Sequence, residues 1–310
     1  MDTSAWFEDL PVIGKLSPEQ AAAKLREVGE DKPAEELEAP PGAEAKVLGG
    51  LLSKLWPFGK RPCSHTAHAF GYLAPVAPGA TSLQAIQHAG NIAPDTTLRD
   101  QRIKITLGGI RVADYPGGGM HRVLFDFYAQ NQVPGNVEHL HFNSTFRVLE
   151  GERAAILGYP IFVGLKVSAE GVAFKCFTVN VKNDDDEKFL GFLDSDVFKS
   201  GLKLVEKAQP AIALLSGTAL GITRSIAGRN RNVPVQDFFL GLDFTTLATS
   251  ARLAEGSYLA IQVPEAMQAV WDWSLWGYNP ANGMVVNKEN PTQLIPYNYI
   301  VFGVSRYTGE

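Results

Sequence analysis

From about residue 100 onward, apolar side chains recur at every second position, and this period constrains the fold more than any other feature of the chain. In HRVLFDFY, Val123, Phe125 and Phe127 alternate with Arg122, Leu124, Asp126 and Tyr128; in FTVNVK, Phe177, Val179 and Val181 alternate with Thr178, Asn180 and Lys182. Extended chain turns successive side chains to opposite faces, so these runs read as half-buried strands. Similar runs at HLHFNSTFRV, PIFVGLKV, QDFFLGLDF, SYLAIQV, VWDWSLW and NYIVFGVSRY are separated by Gly, Pro, Asn and Asp. Many short strands punctuated this way predict a mainly β protein, an antiparallel β-sandwich rather than an alternating parallel α/β fold.

Two regions depart from that period. The segment from Asp194 to Asn232 reads as a helical insertion at about 195–230. Asp194 to Asp196 are capping candidates, Phe198, Leu202 and Val205 share one face, and Pro210 breaks the run before a small-residue apolar helix. Residues 1–61 read as a separate N-terminal region of amphipathic helices and acidic linker, with the sandwich in 62–310. In SPEQAAAKLREVGE, Ser17 caps, Pro18 enters the first turn, Gln20 completes a capping box, Ala21, Leu25 and Val28 form the apolar face and Gly29 stops the helix. The acidic, proline-containing EDKPAEELEAPPGAEA reads as a mobile connector. Beyond it, Leu48, Leu51, Leu52, Leu55 and Trp56 make an apolar stripe at helical spacing, flanked by Lys46, Lys54, Lys60 and Arg61. The stripe either packs on the chain's own sandwich, the simpler expectation, or docks on a protein partner or a membrane surface.

Composition narrows the function classes. Of the 310 residues 45% are hydrophobic, enough for a sizeable core, and the net charge of -5 with a pI of about 5.7 offers no general attraction to nucleic acid. The acidic start MDTSAWFEDLPV lacks the basic and apolar runs of a secretion signal, so a cytoplasmic location is expected. AAILGYPIFVGL and PAIALLSGTALGI fall short of the roughly 18 to 20 residues that span a bilayer. Cys63 and Cys176 are too few for a disulfide framework.

FNSTFRV, residues 142–148, resembles the Asn-x-x-Phe strand of the C2 family of calcium- or phospholipid-binding β-sandwiches, which have two four-stranded sheets. The stretch 177–193, FTVNVKNDDDEKFLGFL, resembles that family's apolar strand entering an acidic loop and leaving through an aliphatic-Gly exit, here Phe189-Leu190-Gly191. The likeness covers at most residues 100–193 and implies a C2-like sandwich. It also implies a candidate calcium site drawn from two loops: Asp184, Asp185, Asp186 and Glu187 in one, Asp114 of ADYPGGGMHR in the other. Calcium needs six to eight oxygens. Asn183 and His121 stand where the family has Asp, and the spacing of the two matching strands implies an extra hairpin around ILGYPIFVGLKVSAEG. The plainer reading of the acidic run is a solvated hairpin tip that resists edge aggregation.

Catalytic groupings are sparse. His139 and His141 in EHLHF share one strand face and with His121 could ligate zinc in a metal-dependent hydrolase, whereas Glu138 points the other way. Cys63, His65 and His68 in CSHTAH form a local cluster without a fourth ligand. Ser216 lacks the preceding glycine of a nucleophile elbow, and Gly117 to Gly119 have no helix behind them to receive phosphate. Asp272 lies among Trp271, Trp273 and Trp276, whose strand reads as core, or as an interface if the protein is a structural subunit of a larger assembly. The expectation is a non-enzymatic adaptor or targeting protein that requires no cofactor, with calcium as a candidate ligand.

Overall fold

The expected β-rich architecture forms, and its strands are long where the period-two runs are long. The structure is a computed structural model that describes residues 6–39, 60–77, 79–193, 196–205, 209–247 and 250–309. In chain order the strands are β1 (Ala67–Leu73), β2 (Gln84–Ala85), β3 (Gln87–His88), β4 (Arg102–Arg111), β5 (Met120–Val133), β6 (Asn136–Leu149), β7 (Tyr159–Lys166), β8 (Gly171–Asn180), β9 (Leu202–Lys203), β10 (Val233–Asp243), β11 (Ala251–Arg252), β12 (Gly256–Val263), β13 (Trp276–Asn279), β14 (Met284–Asn287) and β15 (Tyr299–Arg306). They build a seven-stranded sheet ordered β3-β1-β12-β15-β4-β7-β9, a five-stranded sheet ordered β11-β10-β8-β5-β6 and a three-stranded sheet ordered β14-β13-β2. All pairs are antiparallel except the short edge additions β7–β9 and β10–β11.

The two larger sheets meet through aromatic rings. Phe127 and Phe174 of the five-stranded sheet lie 5.6 and 5.9 Å from Phe302 of the seven-stranded sheet, and Phe127 lies 6.2 Å from Phe162. All four are fully buried, and each ring contributes about 1.5–3 kcal/mol of apolar burial. The reverse face of the seven-stranded sheet carries a second core. There Ala69, Leu259, Ile261 and Val301 pack with Ile86, Trp273, Val285 and Ile295 from the three-stranded sheet and its loops.

The half-buried reading of β5 is corrected, because both of its faces are covered. Leu124 and Asp126 are as inaccessible as Phe125, and Tyr128 is 7% exposed. The second face lies under α5 (Pro210–Ala227) and the N-terminal segment 6–16. Before α5 come α1 (Pro18–Glu27), α2 (Asp31–Glu38), α3 (Glu187–Leu193) and α4 (Asp196–Lys199). Ser17 and Gln20 form the expected capping box on α1, and Gly29 ends it at φ 81°. Residues 31–38, expected as connector, instead form α2, which buries Ala34 and ties Glu38 to Arg26 at 2.6 Å. Phe7, Val12, Ile13, Ala22, Leu25 and Ala34 belong to the same buried cluster as the two sheets, so residues 6–39 do not form a separate core.

Three further expectations change. Residues 159–180 form no hairpin: β7 pairs with β4 in one sheet and β8 with β5 and β10 in the other, so the chain crosses between sheets there. The Phe198, Leu202, Val205 helix face is split, because the helix ends at Lys199, Leu202 sits in β9 and Val205 is 53% exposed. Pro210 opens α5 instead of breaking it, as a residue without an N–H can at the first helical position. By length and composition α5 is apolar enough to cross a bilayer, with half of it buried in the fold.

Candidate functional site

The acidic run turns the chain from β8 into a helix and is not a hairpin tip. Asn183 accepts the Asp185 N–H at 3.0 Å, residues 184–186 make a single 3-10 turn, and Glu187 opens α3, so Phe189-Leu190-Gly191 is helical and not a strand exit. Asp186 is fully buried, ion-paired to Arg229, and accepts from the Asn232 amide at 2.5 Å. Asp184 stands in solvent 3.8 Å from Arg231. In the other loop Asp114 is 3% exposed and accepts from the Arg61 guanidinium at 2.5 Å, while Arg61 also pairs with Glu30. Both buried carboxylates therefore already hold an arginine of this chain. Among the described residues no group of three or more His, Cys, Asp and Glu side chains is gathered to hold a metal ion.

The glycine loop beside Asp114 does supply oxygens to a cation, namely Lys182. Gly117, Gly118 and Gly119 all adopt positive φ (91°, 45° and 69°), a backbone that only glycine takes without strain. This turns the carbonyls of Gly117, Gly118 and Met120 onto the Lys182 ammonium at 3.1, 2.8 and 2.9 Å. The Gly117 and Gly119 N–H groups donate to Glu30 and Glu150.

The histidines fall on opposite sides of one sheet. The β5–β6 hairpin turns through Pro134 and Gly135, and its register sets His121 opposite Val148, His139 opposite Gln130 and His141 opposite Tyr128. Cross-strand partners share a face, so His121 faces the seven-stranded sheet while His139 and His141 face α5 and segment 6–16. The three do not converge on one point, which removes the geometry the zinc reading needs. His141 Nδ1 lies 2.9 Å from Asp126, whose other oxygen accepts the Thr223 hydroxyl at 3.0 Å. The His141 N–H donates to Ser216 Oγ at 2.9 Å, so Ser216 serves the strand edge. Trp6 stacks over His141 at 6.0 Å. The Cys63 thiol is buried, and burial followed by the Asp114 carboxylate pushes its pKa well above the ordinary value, which suppresses the thiolate.

Two aromatic expectations also change place. VWDWSLW is not an alternating strand: Asp272 accepts the Ser274 N–H at 2.8 Å and closes a tight turn, and β13 begins only at Trp276. Trp273 enters the second core at 5% exposure, while Trp271 and Trp276 stack at 6.4 Å and stay half-buried. The stripe Leu48, Leu51, Leu52, Leu55 and Trp56 lies outside the described residues.

Comparison with protein-family models, curated proteins and solved structures finds no match.

Among the described residues, one open surface is not signalled by the candidate motifs above. Across the five-stranded sheet, His141, Tyr128, Lys175 and Phe239 form one cross-strand row. Segment 6–16 and α5 cover its His141 end. Phe239 stands 59% exposed at the other end, and along the same sheet face Ala173 and Gln130 are exposed and His139 is half-buried. Lys175 Nζ lies 5.1 Å from the Trp6 ring and 5.9 Å from the Tyr128 ring, and the Tyr128 hydroxyl meets His139 Nδ1 at 2.6 Å. A signal was present in QDFFLGLDF, since burying Phe238, Leu240 and Leu242 turns Phe239 outward.

Proposed function

We propose that this chain is a non-enzymatic binding protein that docks a protein partner on the open face of its five-stranded sheet, around Phe239, Lys175, Tyr128 and His139. The observation that carries the reading is Phe239: a large aromatic ring 59% exposed in the middle of a long strand, next to a cation held over two further rings. Exposed aromatic rings are enriched at protein interfaces relative to the rest of the surface. A binding role is further supported by the burial of Cys63, Ser216, His121 and His141, none of which is accessible to a substrate. The C2-like reading of the fold is part of this proposal and rests on the FNSTFRV likeness, while residues 187–193 are helical and the sheets hold seven and five strands. The stripe at residues 48–56 would be a second contact.

A photo-crosslinking residue placed at position 239 in cells tests the proposal, with position 289 on a remote exposed turn as control. One discrete protein adduct at 239, absent at 289 and weakened by Lys175→Glu, is the expected result. No discrete adduct, the same adducts at both positions, or attachment to anionic phospholipid vesicles in place of a protein would overturn it.

A further inference from the structure

Near the end of β4 stands a pair of charges that the described residues leave unbalanced. Beyond the sheet proper, residues 110–112 continue to pair with 151–154 through Val112 N–H to Glu152 O and Ala154 N–H to Ile110 O, and this sets Arg111 directly opposite Arg153. Directly opposed side chains lie on one face, and like charges so placed repel. Arg111 is 4% exposed. It donates to the Tyr297 carbonyl at 2.9 Å and lies 5.9 Å over the Tyr299 ring. Arg153 donates to the carbonyls of Gly108 at 2.7 Å, Ile156 at 2.9 Å and Asn282 at 3.1 Å.

Among the described residues neither guanidinium has a carboxylate within ion-pairing distance, and the Nε of each is buried without an acceptor. The nearest acid whose field reaches Arg111 is Glu152, which is exposed. Guanidinium does not deprotonate in proteins, so among the described residues one buried and one half-buried positive charge face a single solvated negative charge. The arrangement is also built to measure. A Cβ on Gly109 would come within 2.8 Å of Arg153 Nε, and one on Gly283 would overlap Nη1.

Arg153 forms one wall of an open cleft of about 420 Å³. Asn282 adds a polar group beside it, and Ala154, Ala155, Met284 and Leu294 supply the apolar remainder. We infer that this cleft binds a small organic monocarboxylate with an apolar tail, its anionic end drawn to Arg153 with Arg111 adding field from beneath, its tail on Met284 and Leu294. A single negative charge suits the site better than a phosphate dianion, because Glu152 at the mouth repels a second charge and the greater part of the wall is apolar. The site is separate from the Phe239 face, so either proposal can fail without the other.

The test uses the full chain and three probes: sodium hexanoate, 1-hexanol and inorganic phosphate, each followed by thermal shift and calorimetry. A ligand that binds only the folded state stabilises it by RT ln(1 + [L]/Kd), so hexanoate should raise the melting temperature with that logarithmic dependence and saturate one site by calorimetry, and the other two should do neither. Ala155→Glu places a second carboxylate on the exposed rim, where it competes for the same guanidiniums: it should not lower the unliganded melting temperature and should weaken hexanoate by about tenfold or more. Arg153→Gln should abolish binding; if that variant fails to fold because the carbonyl clamp is lost, the Ala155→Glu comparison still decides. Hexanoate without saturable effect, equal stabilisation by hexanol or phosphate, or unchanged hexanoate affinity in Ala155→Glu would each overturn the inference.

Discussion

His121 is an uncharged ring in a charged neighbourhood. Lys182, Arg61, Asp114 and Glu150 surround it, Glu150 at 3.7 Å, and Tyr115 packs edge-on at 5.8 Å. Burial first, and the Lys182 ammonium second, push its pKa down to about 4, and burial does the same to His68. Each therefore favours the folded state when neutral. The stabilisation is complete above the unfolded histidine value near 6.5 and is lost as the pH falls from there through about 4, at most about 3 kcal/mol for each residue. Urea midpoints should accordingly fall between pH 7 and pH 5, and His121→Gln should flatten that slope; an equal slope in the variant would assign the acid sensitivity elsewhere. The same residue shows where sequence reading stops. That His139 and His141 share a face follows from period two alone, but the side taken by His121 depends on the turn. Pro134-Gly135, with Gly135 at φ 76°, closes a two-residue connection and fixes the pairing. The period alone puts Asp126 on the polar face, and nothing local to HRVLFDFY announces that α5, far along the chain, covers it.

At the scale of elements, whatever rested on local signals was legible and whatever rested on distant cover was not. The α1 cap, the strands β5, β6, β8, β10, β12 and β15 and the small-residue helix α5 carry their signals in a few consecutive residues. The helical acidic turn, the crossing at 167–170 and the curled tryptophan segment are set by partners far along the chain: Asp186 is drawn to Arg229, and Trp273 to the space above Gly71, where a Cβ would meet its ring at 2.9 Å. Segment 6–16 is the sharpest case. Its own residues announce no partner, yet Phe7 stacks on Phe177 at 4.4 Å, Trp6 donates to Asp237 at 3.0 Å, and Arg224 reaches Asp9 and the Trp6 carbonyl at 2.5 and 2.8 Å. Deleting residues 1–61 should therefore unfold the protein instead of leaving a β-rich core, since it strips Phe7, Val12, Ile13 and Leu25 from the common cluster and leaves Asp114 buried without Arg61, a loss of several kcal/mol in each category. Gel filtration and a thermal melt by circular dichroism check this; a monomeric truncation with a sharp transition would show that the N-terminal region is dispensable.

For the molecule as a whole, the separations in sequence dictate how it must assemble. β1 pairs with β12 and β4 with β15, each pair far apart in sequence, and Trp6 meets Asp237 across 231 residues. Such non-local pairing places folding in the slow range, about milliseconds to seconds or longer, because loop closure precedes the contacts that reward it. Segment 6–16 lies across an already paired β5–β8–β10 surface, which does not exist until those strands have met, so its contacts form after the rate-limiting step. Phe7→Ala should then remove about 3–5 kcal/mol of stability, and the loss should emerge almost wholly as faster unfolding with the refolding rate unchanged. Stopped-flow chevrons of the wild type and the variant measure both arms. If refolding slowed instead, segment 6–16 would belong to the nucleus, and the sheet face beneath it would have to be organised by the N-terminal residues themselves.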